Sequence, residues 1–82
     1  MNASNAQRFA EVYAVKLAEA IVRHPEDYAY EATPEAIAAV VAKMVPAYAT
    51  GSASDGPAVK ATARALGLKP SLGAVKAFLN AP

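Results

Sequence analysis

Cysteine and tryptophan are absent from this 82-residue chain, and histidine occurs once. Without cysteine there is neither a disulfide nor a thiolate metal site, which fits a reducing compartment. The lone His24 lacks companions for a structural zinc site, and no metal or other cofactor is expected. No run approaches the roughly 18 apolar residues that span a bilayer. The start Met1-Asn2-Ala3-Ser4-Asn5 lacks the basic-then-apolar order of a secretory signal. A cytoplasmic protein without membrane contact is therefore expected. Strand formers are scarce and do not alternate. The four glycines, Gly51, Gly56, Gly67 and Gly73, lack the spacing of a phosphate loop and a preceding strand. Ser52 and Ser54 have no neighbouring base to activate them. The acidic cluster Glu26, Asp27, Glu31 and Glu35 lies in a polar stretch and reads as a solvated face. Together these absences argue against an enzyme.

Alanine supplies 22 of the 82 positions. It loses no side-chain entropy in a helix and so favours one strongly. The expected fold is a single all-α domain over residues 1–82, a compact four-helix arrangement of two helical hairpins. A chain this short is near the lower limit for a core without staples, so every buried apolar side chain counts.

The boundaries follow from capping chemistry. Ser4 followed by Gln7 matches a capping box and predicts helix 1 from about Asn5 to His24. Phe9, Tyr13, Leu17, Ala20 and Ile21 form its apolar stripe. Val12, Val15 and Val22 interrupt the polar arc opposite. Pro25-Glu26-Asp27-Tyr28 predicts one further turn, and Tyr28 and Tyr30 are expected to cap the bundle edge, rings buried and hydroxyls wet. Thr33-Pro34-Glu35 predicts the start of helix 2. Its face of Ile37, Val40, Val41, Met44, Val45 and Tyr48, with alanine elsewhere, predicts a largely buried, central helix, kinked or closed near Pro46. After the loop Thr50–Gly56, helix 3 starts at Pro57 with Asp55 or Gly56 as cap and ends before Gly67. Ser71 caps helix 4, which ends near Asn80.

The last third has the form of a helix-turn-helix. Ala63, Leu66, Gly67 and Leu68, then Leu72, Val75, Phe78 and Leu79, are suited to lock two short helices across a bend. Charge is split to match. Residues 1–50 carry four cations and six carboxylates, whereas residues 51–82 carry Lys60, Arg64, Lys69 and Lys76 against Asp55 alone. Such asymmetry points to an anionic partner for the basic half, and these four residues are the candidate contacts for DNA or RNA. Two features count against base reading. The turn is longer than the compact three- to four-residue bend, and helix 4 offers no internal arginine, glutamine or asparagine for a bidentate base contact. An ordinary helical pair completing a bundle is the competing reading. A further alternative is a protein-binding module, with Val12, Val15 and Val22 exposed to a partner or buried in a homodimer.

The segments Asn5–Ala10, Lys43–Pro46, Gly51–Thr62 and Ala65–Leu68 resemble small accessory proteins of tailed bacteriophages. No activity or site residue carries over from that group. The resemblance implies a setting in the cytoplasm of an infected bacterium, where such proteins regulate transcription or bind and block a host or defence protein.

Overall fold

The computed structural model describes all of residues 1–82. Four helices, α1 (Ala3–Arg23), α2 (Pro34–Thr50), α3 (Pro57–Ala65) and α4 (Leu72–Leu79), follow in order with a single 3₁₀ turn, Pro25–Asp27, after α1. There is no strand, and the all-α expectation holds. At 1.5 Å per residue α1 is about 31 Å long, most of the 37 Å long axis of the domain. It is the spine: α2, α3 and α4 all pack on it, α4 also packs on α2, and α3 touches α4 lightly. The backbones of α2 and α3 do not approach closely.

The central position predicted for helix 2 therefore belongs to α1. Ala38, Ala39, Ala42 and Lys43 are exposed along α2, and only Ile37, Val45, Tyr48 and Ala49 are buried. Alanine tolerates either environment, so an alanine face does not report burial. α2 also runs unbroken through Pro46 to Thr50 and ends at Gly51 in the left-handed region, φ 77°.

Helix 1 begins earlier than the Ser4 box predicts. Asn2 is the cap, and its Oδ1 accepts from the Asn5 amide at 3.0 Å. Gln7 turns to Glu11 instead of back to the cap. A long-range reason accompanies this. The Asn2 amide donates to Leu79 O at 2.7 Å, its Nδ2 to Ala81 O at 2.9 Å, and Asn5 Nδ2 to Phe78 O at 2.8 Å. These donors meet carbonyls at and just beyond the end of α4, where intrahelical donors run out. Asn80 Nδ2 likewise joins α4 to α2 through Ala49 O at 2.8 Å. The remaining caps, Thr33, Gly56 and Ser71, stand where the sequence places them.

The core is the Phe9, Tyr13, Leu17 and Ile21 stripe of α1 meeting Ile37, Val45 and Tyr48 of α2, Val59 and Ala63 of α3, and Val75 and Leu79 of α4. Val40, Val41, Met44, Leu66, Leu68, Leu72 and Phe78 pack around it half-buried. At its centre Phe9 stacks on Tyr13 at 5.5 Å, and Tyr48 meets both rings edge-on. Buried Thr62 returns its hydroxyl to Ala58 O at 2.7 Å, so its polarity is satisfied within α3.

Burial raises the phenol pKa of Tyr13, reinforced by its hydrogen bond with Tyr48 and by the neighbouring tyrosines. Burial also raises Tyr48, against the opposing effect of the Tyr13 hydrogen bond. In the unfolded chain a phenol ionises near pH 10, below its folded value, so this contribution to stability is complete under that pH and drains away above it. The melting temperature is expected to fall as pH rises beyond about 10, with a smaller fall in Tyr13→Phe. Equal falls in the two proteins would contradict this role for the Tyr13 phenol.

Candidate binding surfaces

The four candidate cations stand on three local structures. Ala58, Val59, Thr62 and Ala63 face inward on α3, which turns Lys60 and Arg64, one helical turn apart, outward on a common stripe. Lys60 is half-buried and its Nζ lies 3.3 Å from Asp55 Oδ2. Asp55 Oδ1 accepts from the Gly56 amide, so both carboxylate oxygens are engaged. Arg64 is exposed. Lys69 is exposed in the turn, which Gly67 opens by adopting φ 75°. Lys76 projects from α4 across the end of α2, so close that a β-carbon on Gly51 would meet its Nζ at 3.4 Å. The structure thus brings Lys60 and Arg64 together, while Lys69 and Lys76 stand apart on the turn and on the α2 side of α4. Only Lys60 of the four has a carboxylate within 4 Å.

A fifth cation meets α4 from 70 residues away in sequence. The Arg8 guanidinium lies 5.5 Å from the centre of the Phe78 ring, a cation–π distance, beside the flank of α4 opposite Lys76. No local pattern announces it. The pairing follows from the end of α4 lying against the start of α1.

The outward face of α4 is small. Gly73 and Ala77 are exposed and Ala74 is half-buried. Ser71 caps this helix by accepting from the Ala74 amide. Within α4 only Lys76 could reach a base edge, and no arginine, glutamine or asparagine accompanies it.

On α1, Val15 and Val22 are 56% and 74% exposed. Val12 is half-buried, so the expectation of three exposed valines is corrected to two: the arc turns Val12 toward the edge of the packed face. Ala18 lies between the exposed pair at helical spacing. With Ala32 and the flanking Glu19 and Arg23, Ala18 and Val22 line a shallow groove of about 340 Å³. Glu19 holds Arg23 at 3.9 Å and Lys16 at 3.7 Å.

Three metal-ligating side chains do converge. His24, Glu26 and Asp27 place ligand atoms within 4.8 Å of one another on the 3₁₀ turn. All three are exposed, and His24 Nδ1 sits 3.5 Å from Glu26. Strong metal sites depend on outer groups that orient the ligands, and an exposed turn supplies none. Ser52 is occupied by Thr50 and Ala47 O, which leaves it a structural hydroxyl at the end of α2.

No helix is long and apolar enough to cross a membrane. Comparison with protein-family models, curated proteins and solved structures finds no match. The functional reading therefore rests on the residues themselves.

Proposed function

We propose that this chain is a small non-enzymatic binding protein whose C-terminal hairpin, α3 with α4, contacts the phosphate backbone of DNA or RNA. The observation that supports this most is charge: residues 57–82 hold four cationic side chains and no acidic one. Arg64, Lys69 and Lys76 are exposed and free of acidic partners, so a phosphate need not displace an internal ion pair. Contacts of this kind gain by releasing condensed counterions. Gly73 and Ala77 would let a backbone approach α4 closely. With Lys76 the only polar side chain within α4, the contact is one that positions more than it specifies sequence. The phage-type resemblance supplies the setting, the cytoplasm of an infected bacterium. A fluorescent DNA duplex or RNA of mixed sequence is expected to bind at low salt, read by anisotropy. No binding by either at low salt would overturn the proposal.

Val15 and Val22 support a second reading. Two exposed valines flanking an alanine suit a protein partner, such as a host or defence protein that is inhibited or adapted, or a second copy of this chain. Light scattering separates the homodimer from the monomer. A pull-down from bacterial lysate, repeated after nuclease, separates protein partners from those carried by nucleic acid. Partners lost with the nuclease favour the first reading, and proteins retained favour the second.

A further inference from the structure

The richest meeting of side-chain chemistry in the molecule lies outside both surfaces. A cleft of about 230 Å³ opens where the end of α2, the Tyr28–Tyr30 connection and the start of α3 come together. Tyr13, Tyr28, Tyr30 and Tyr48 all line it, with Met44 and Asp55. Tyr13 and Tyr48 are buried, and their hydroxyls lie 3.5 Å apart with no further protein partner. Tyr28 and Tyr30 are half-buried and meet edge to face, ring centres 6.0 Å apart.

We propose that this cleft binds a small organic cation, an alkylated ammonium group, held by the Tyr28 and Tyr30 rings and the Asp55 carboxylate. The face of an aromatic ring is electron-rich and attracts cations, most strongly where water is excluded. Tyr28 and Tyr30, half-buried, leave ring surface to such a ligand, whereas Tyr13 and Tyr48 are buried against each other and Phe9. Asp55 is the only formal charge in the lining, so an anion would meet repulsion. The start of α3 does not reverse this, because the Asp55 carboxylate already sits there and accepts the Gly56 amide. The size is also selective: drug-sized ligands need roughly 300–1,000 Å³, and this space suits a headgroup. The natural source is either a free amine or an alkylated lysine side chain of a partner. Lys60 is the internal competitor. Its ammonium reaches Asp55 from outside the lining, so a bound cation shares or takes over that carboxylate.

Choline is the probe, beside its neutral isostere in which carbon replaces the quaternary nitrogen. Titration is followed by the NMR shifts of residues lining the cleft, on the full chain. Choline is expected to bind about fivefold or more tightly than the isostere. Tyr30→Leu and Asp55→Asn should each weaken choline by about the same factor, while Lys60→Gln should tighten it. Circular dichroism checks that each variant is folded. A peptide carrying trimethyllysine, titrated alongside, identifies the source: tighter than choline for a partner side chain, weaker for a free amine. Equal binding of choline and its isostere, or choline affinity indifferent to both Asp55→Asn and Lys60→Gln, would overturn the proposal. Arg64, Lys69 and Lys76 take no part in this test, so its outcome is independent of nucleic-acid binding.

Discussion

Phe9→Ala is expected to cost about 3–5 kcal/mol of folding stability. The ring is fully buried, stacked on Tyr13 and crossed by Tyr48. Its removal leaves a void between α1 and α2. A domain of this length has a total stability of about 4–12 kcal/mol, so the change consumes much or all of it. Urea unfolding followed by circular dichroism measures the loss. Val22→Ala serves as the control on the same helix. Its side chain is mostly exposed, and its cost should stay within about 0.5 kcal/mol. Equal losses in the two variants would mean that the three-ring cluster is not the centre of the core.

Replacing Arg64, Lys69 and Lys76 together by glutamine is expected to weaken nucleic-acid binding by about two orders of magnitude near 0.1 M salt. Each cation that neutralises a phosphate releases close to one counterion, and the gain accumulates over three contacts. Stability should hardly change, because all three side chains are exposed and without ion-pair partners. Lys60→Gln alone should have a smaller effect than any one of these, since Asp55 already offsets that charge at 3.3 Å. An unaltered affinity in the triple variant, measured by anisotropy, would remove the C-terminal hairpin from the interface.

Helix identity was legible wherever a local rule decided it. Thr33-Pro34 and Ser71 start helices because their hydroxyls meet amides three residues on, and Gly67 turns the chain because it accepts a positive φ. The Phe9–Ile21 stripe was legible for a similar reason: periodicity reports the face a helix buries. What local rules missed depends on distant contacts. Asn2 caps α1 where Ser4 was expected, in a segment whose asparagines also bond the end of α4. Periodicity put Tyr48 on the apolar face of α2, but its place in a three-ring cluster depends on α1 bringing Phe9 and Tyr13 against it. The exposed alanines of α2 illustrate a different limit, since alanine packs or faces water at little cost.

The binding residues divide in the same way. Lys60 and Arg64 share a stripe because four residues make about one helical turn, which is readable from spacing. Lys76 lying over Gly51, Arg8 over Phe78, and four tyrosines around one cleft arise from tertiary packing. Asp55 serves both the cleft, which it lines, and the basic stripe of α3, where it holds Lys60.

The most direct measurement is the salt dependence of duplex binding by the unmodified chain, taken at several concentrations from about 50 to 200 mM. Three phosphate contacts predict a slope of about −3 in log affinity against log salt. A slope near zero would contradict binding through Arg64, Lys69 and Lys76, however tight the complex.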